Sequence, residues 1–169
     1  MMVTVSAICS GPVVQTAWVT KDLGATEEHL SAHFGAGRWT RFEGIEFGPD
    51  TCELRGHPAD FAADISLSYV GAMQLELIRP GRGTSIYHEF LEAGGPGLHH
   101  ICFETVSMPA TLEAAAAAGI EVVQRGSMAG LMEFAYLDGA AAGVPFVEIA
   151  HISPGIRSIF EQIRSGAST

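Results

Sequence analysis

Apolar and polar positions alternate in short runs along this chain, and the runs recur in one order, twice. Residues 13–19 (VVQTAWV) are short, apolar and β-rich, which predicts a strand. Lys21-Asp22-Leu23-Gly24 breaks it. The spacing then predicts a helix over residues 26–34, with Thr26 as its cap, Glu27 and Glu28 in its first turn and Gly35 just past its end. Strands follow at 39–47, 65–69 and 73–78 (MQLELI), the last stopped by Pro80, with Val70-Gly71-Ala72 as a hairpin turn. The second half repeats the order. Residues 98–104 (LHHICFE) read as a strand and 108–118 as a helix, with Pro109 in its first turn and Gly119 at its end. Three strands follow, at 120–124, 132–137 and 145–150. Such internal similarity sets the architecture. The expectation is an α+β chain of two tandem βαβββ modules, one spanning about residues 12–80 and the other about 98–152.

Between the modules, residues 81–97 read as a linker with a short helix at 85–92 and the run Gly94-Gly95-Pro96-Gly97. No P-loop Lys-Ser/Thr follows these glycines, so they give no phosphate-binding motif. A tail helix, about 154–165, opens at Ser153-Pro154; Ile156, Ile159, Phe160 and Ile163 recur at i, i+3, i+4 and i+7 and form an apolar stripe. That stripe is expected to pack on the domain or on a second copy. Its polar side carries only Arg157 and Arg164 as cations, which argues against a membrane role.

Composition narrows the picture. The chain has 169 residues, 47% hydrophobic and 17% charged, as expected of a folded domain with a sizeable core. The net charge of −10 argues against nucleic-acid partners, whose phosphates need a basic surface. No apolar run approaches the roughly 18–20 residues that cross a bilayer. Residues 1–10 lack the basic and long apolar regions of a signal peptide, so a cytoplasmic location is expected. Cys9, Cys52 and Cys102 have no CxxC spacing and read as thiols in a reducing compartment.

The repeat makes four polar residues comparable. Gln15 and His100 lie in the first strand of each half, Glu76 and Glu148 in the last. Glu76 sits between Leu75 and Leu77, and Glu148 between Val147 and Ile149. A lone carboxylate is costly to bury in a sheet. Two at matching positions, joined by an imidazole and an amide at the other matching pair, point to compensation by one divalent metal. One nitrogen and three oxygen donors suit Zn²⁺, Ni²⁺, Co²⁺, Mn²⁺ or Fe²⁺. Strand alternation turns His99 away from His100, so His99 reads as a packed or solvent-facing side chain. His29 and His33 have i, i+4 spacing but no third ligand and read as solvent-facing.

Gly97-Leu98-His99-His100-Ile101-Cys102-Phe103-Glu104 resembles the "GLHHIAFE" strand of methylmalonyl-CoA epimerases in the vicinal oxygen chelate superfamily, where the second His is a metal ligand. The segments LELIRP (75–80) and FVEIA (146–150) are similar to the two strand-end ligand positions of that superfamily, and QTAWVTKD resembles the first strand of some glyoxalase I enzymes. The resemblance implies a cupped mixed sheet, a metal held by Gln15, Glu76, His100 and Glu148, and often a homodimer. It also implies a small-molecule carbonyl or thioester substrate, with acyl-CoA as one candidate.

The chemistry implied is proton transfer through an enolate, in an isomerase, epimerase or lyase. Glu148 would be ligand and base, and Glu76 its counterpart. Epimerases also use a glutamate on the middle strand of the first half. Here that stretch, DISLSY, offers Asp64 as the candidate base. Gln15 stands where epimerases have a His and matches a glyoxalase I-like ligand set instead. Bleomycin-resistance relatives, which bind ligands without metal, lack the quartet. Ring-cleaving dioxygenases use two His and one Glu, which Gln15 disfavours.

Overall fold

The computed structural model describes residues 7–166. Most of the segment judged for a signal peptide therefore lies outside the described residues. Strands β1 (Gln15–Val19), β2 (Thr40–Phe47), β3 (Cys52–Leu54), β4 (His57–Pro58), β5 (Phe61–Val70), β6 (Met73–Gly83), β7 (Gly97–Glu104), β8 (Val122–Met128), β9 (Met132–Asp138) and β10 (Phe146–Ile152) join into one sheet. Helices α1 (Leu23–Phe34), α2 (Ile86–Glu92), α3 (Met108–Ala117) and α4 (Pro154–Ser165) complete the described elements, with a 3₁₀ turn at Ala140–Ala142.

The strand order is β2-β5-β6-β1-β7-β10-β9-β8-β3-β4. The first half supplies β2-β5-β6-β1 and the second β7-β10-β9-β8, so the halves are laid out as mirror orders about the β1–β7 seam. Within each half the first and last strands pair in parallel, β1 with β6 and β7 with β10, while β1 and β7 meet antiparallel. The sheet is therefore mixed. It curls into a half-barrel: the turn after β2 leads directly to β3 at the far edge, where Cys52 pairs with Gly126 of β8.

Local chemistry accounts for the element ends. α1 starts a turn earlier than the expected residue 26, because the Asp22 carboxylate accepts from Ala25 N at 3.0 Å and acts as N-cap. Thr26 lies inside the helix, its hydroxyl donating back to Asp22 O at 2.9 Å. β6 runs on through Pro80 to Gly83, past the expected stop. Its ladder with β5 shifts register between Phe61 and Ala63, and a bulge there accommodates a proline. β3 and β4 are too short to leave a periodic signal.

The expected linker helix is an internal plug. Ser85 caps α2 by accepting from Tyr87 N at 3.2 Å, and Ile86 and Tyr87 are buried. Tyr87 Oη lies 2.6 Å from Tyr136 Oη, and Phe47 stacks on Phe61 at 4.7 Å between ring centroids. These aromatics fill one end of the half-barrel. On its outer face Met108 and Ala115 of α3 pack against Ala135, Leu137 and Ile149.

α4 turns its apolar stripe inward. Ile156, Ile159 and Phe160 line the cavity of the cup, and the helix, leaving β10, contacts β5 on the other half. Of the stripe, Ile163 is buried, and Ile156, Ile159 and Phe160 are half-buried and face the chain's own cavity.

Candidate metal centre

Four adjacent strands, β6-β1-β7-β10, carry the four sequence-selected residues at the centre of the sheet. Ala17 of β1 pairs with both Glu76 and His100, and Phe146 pairs with His100, which sets Gln15, Glu76, His100 and Glu148 around one point. His100 Nε2 lies 3.0 Å from Glu148 Oε2, 3.4 Å from Glu76 Oε2 and 3.3 Å from Gln15 Oε1. The donor atoms of Glu76, His100 and Glu148 lie within 4.8 Å of one another, a group that could hold a metal ion. Exposure is 7% for Gln15, 9% for Glu76, 0% for His100 and 5% for Glu148. Two carboxylates this buried need a cation.

Without an ion, His100 fills that role. Burial pushes its pKa down, but hydrogen bonds to Glu148 and Glu76 overcome this and lift it to about 9. Burial raises the Glu76 carboxyl, and the nearby Glu148 charge adds to the rise, against the pull of His100. The donor set fits a divalent ion: one imidazole nitrogen, one amide oxygen and two carboxylates, with the ion's charge balanced by the two acids.

The amide of Gln15 is held in one orientation. Its Nε2 donates to Gln74 Oε1 at 2.6 Å, and Gln74 Nε2 donates to Tyr69 Oη at 2.9 Å, so Gln15 Oε1 faces His100. Gln74 shares a strand face with Glu76. Period-two alternation already places it there; its partnership with Gln15 comes from the β1–β6 register, which pairs the two.

His99 departs from its expected orientation. Ala17 pairs with His100 while Trp18 pairs with Leu98, so His99 is the extra residue of a bulge. The bulge breaks strict alternation and brings His99 Nδ1 to 2.9 Å from His100 Nδ1. His99 is fully buried among Tyr87, Phe90 and Phe146. Burial and the neighbouring His100 charge drop its pKa to about 2, so it stays neutral. His100 Nδ1–H is therefore the donor and His99 Nδ1 the acceptor, which leaves His100 Nε2 directed at the acids.

Asp64 lies elsewhere. Ile65, Leu67 and Tyr69 of β5 face the cavity, and Asp64 and Ser66 face the other way, where Ser66 Oγ donates to Glu27 of α1 at 2.6 Å. Asp64 Oδ1 accepts from Gly44 N at 2.7 Å and its other oxygen from Arg79 Nε at 3.0 Å. Gly44 has φ 64° at the bulge of β2, so Asp64 ties down a turn that glycine makes possible. Arg79 is committed to Asp64, and Arg82 to Asp60 and Glu46. His29 and His33 are exposed on α1 with rings 5.0 Å apart. Cys102 is a buried thiol whose pKa burial raises well above the ordinary value.

A curled sheet of two βαβββ halves with an acid–imidazole cluster at its seam defines a class of paired-module half-barrels. Residues 14–136 match the family model of the Glyoxalase/Bleomycin resistance protein/Dioxygenase superfamily, and the chain belongs to that superfamily. Among solved structures it is similar to methylmalonyl-CoA epimerase from Mycobacterium tuberculosis, at 18% identity and TM-score 0.62 over 94% of this chain and 97% of that one. It is similar to a variant of the Streptomyces coelicolor epimerase in complex with 2-nitronate-propionyl-CoA, at 20% identity and TM-score 0.61 over 84% and 94%. A hypothetical protein from Bacillus halodurans matches at 16% identity and TM-score 0.62 over 84% and 94%. At these identities the likeness concerns the fold. The search of curated proteins gave no match.

Proposed function

We propose that this protein is a metal-dependent isomerase, epimerase or lyase that works through an enolate on a small carbonyl substrate. The observation that carries this reading is the convergence of Gln15 Oε1, Glu76 Oε2 and Glu148 Oε2 on His100 Nε2, with Gln15, Glu76 and Glu148 also lining the cavity. A divalent ion held by these four residues would supply a Lewis acid that polarises the carbonyl and offsets enolate charge.

The chain's own residues handle the proton. Glu148 and Glu76 reach the cavity from β10 and β6, on either side of β1 and β7. Glu148 takes the α-proton as the C–H electron pair moves into the enolate. Return of a proton from Glu76 to the other face inverts the carbon, with no net gain or loss. Asp64 has no part in this scheme, because its carboxylate is on the other face of β5.

Gln15 favours one second reading, a glyoxalase I-like lyase, because the resemblance ties an amide at this position to such ligand sets. Pairing into a homodimer rests on the family resemblance. The test is α-proton exchange in D₂O, followed by proton NMR over a panel of small α-substituted carbonyl compounds and the methylglyoxal–glutathione hemithioacetal. Metal-loaded protein should wash deuterium into at least one substrate; a metal-replete protein that exchanges none sinks the proposal.

A further inference from the structure

The cavity over the candidate centre has a volume of about 270 Å³, near the lower end of the ~300–1,000 Å³ typical of small-molecule pockets. Gln15, Glu76 and Glu148 bring the reacting end into it. The walls are a different chemistry. β2 contributes Phe42 and Ile45, β5 Ile65 and Leu67, and the β8–β9 hairpin Met128 and Met132. Ile156, Ile159 and Phe160 of α4 add a further apolar side, on a helix that leaves β10 and contacts β5, with three strands between the two in the sheet order.

The two cations that line the same cavity are each paired with an acid. Arg157 Nη2 pairs with Glu104 Oε2 at 2.8 Å, and Arg164 Nε lies 3.7 Å from Glu161 Oε2. Arg157 and Arg164 are the only cations among the described lining residues, so each is already engaged. Both pairs are half-exposed and cheap to break, but carboxylates outnumber cations in this lining, Glu76, Glu104, Glu148 and Glu161 against Arg157 and Arg164, and that balance disfavours a phosphate.

We infer, resting on the metal-centre reading above, that the substrate buries an uncharged apolar chain or ring against α4, in place of a phosphate-bearing carrier. Apolar contact then supplies the binding energy remote from the reacting carbonyl. Phe160 and Ile159 set how large that group can be. Acyl-CoA, one of the substrates implied by the family resemblance, fits this cavity poorly.

Alkyl hydroxamates test this, because their head group chelates a divalent ion while the tail length varies. Protein loaded with Co²⁺ is titrated by calorimetry with acetohydroxamate, butanohydroxamate, hexanohydroxamate and octanohydroxamate. Affinity is expected to rise by about fourfold for each methylene buried, levelling once the cavity is full. Phe160→Ser and, independently, Ile159→Ser should flatten that rise, read as the ratio of long-chain to acetohydroxamate affinity in the same variant. Coenzyme A at millimolar concentration should not displace hexanohydroxamate. Acetohydroxamate binding with no gain from longer tails overturns this inference and leaves the metal centre standing, as does displacement by coenzyme A. Failure to retain Co²⁺ after dialysis overturns the metal centre, and this inference with it.

Discussion

His99 Nδ1 lies 2.9 Å from His100 Nδ1, so one buried imidazole fixes the orientation of the other. The bulge between β1 and β7 produces this contact, and the neutrality of His99 makes it an acceptor. Replacing His99 by Phe keeps the ring packing against Tyr87 and Phe146 but removes the acceptor. We expect metal affinity to fall by about 10–100-fold, the usual cost of losing such an outer partner. His99→Gln, which keeps an acceptor oxygen, should recover part of it. Chelator competition measures both, and an affinity unchanged in His99→Phe would show that the contact orients nothing.

The metal and a proton compete for His100. In the metal-free protein His100 titrates at about 9, above the ~6.5 of an unfolded chain. Below about 9 metal binding must expel that proton, so affinity should rise about tenfold per pH unit from 6 towards 9. The stability consequence has the same origin. A raised pKa contributes stability that is full below about 6.5 and is lost as pH rises through about 9. The metal-free protein should therefore melt at lower temperature at pH 9 than at pH 7. Loading with Zn²⁺ should reduce that decline. Thermal melts of both forms across this range check it; a metal-free melting temperature that climbs towards pH 9 would contradict the sign.

Gln74 holds Gln15 through a 2.6 Å hydrogen bond and is itself held by Tyr69. Gln74→Met keeps the volume but leaves the Gln15 amide without its acceptor. Such a buried loss costs about 1–3 kcal/mol, and the freed amide should weaken metal binding several-fold. Tyr69→Phe, one bond further out, should do less. Equal effects from the two variants would argue against a chain of orientation running from Tyr69 to the centre.

The particular residues explain what the sequence carried and what it withheld. Gln15, Glu76, His100 and Glu148 were visible because a repeat of strand and helix set them at matching positions, and matching positions in paired halves meet at the seam. His99 and Gln74 gained their partners only through cross-strand register, which a bulge or a one-residue slip changes without altering the pattern of either strand. α2 read as linker because a seven-residue helix beside glycines has too short an apolar face to announce burial, yet Ile86 and Tyr87 plug the barrel. The stripe on α4 was legible, but periodicity does not say which surface a stripe meets. Asp64 was selected by position along the middle strand, and alternation placed its carboxylate on the opposite face.

Asp64 is accordingly expected to act on stability and not on catalysis. Its carboxyl is held below the ordinary range first by Gly44 N–H and then by Arg79, which makes it a weak proton acceptor. Asp64→Ala should lower stability by about 1–2 kcal/mol: the exposed pair with Arg79 gives little, and the tie to the β2 bulge gives more. A lowered folded pKa contributes stability that is present above the unfolded value of about 3.9 and is lost as pH falls through the folded value. The gap in melting temperature between wild type and Asp64→Ala should therefore be full at pH 7 and close as the pH drops below about 4. Metal content and α-proton exchange should match wild type at 25 °C, whereas Glu148→Gln should lose exchange. Loss of exchange in Asp64→Ala, with metal and fold intact, would return Asp64 to the candidate bases and require β5 to turn that face towards the substrate.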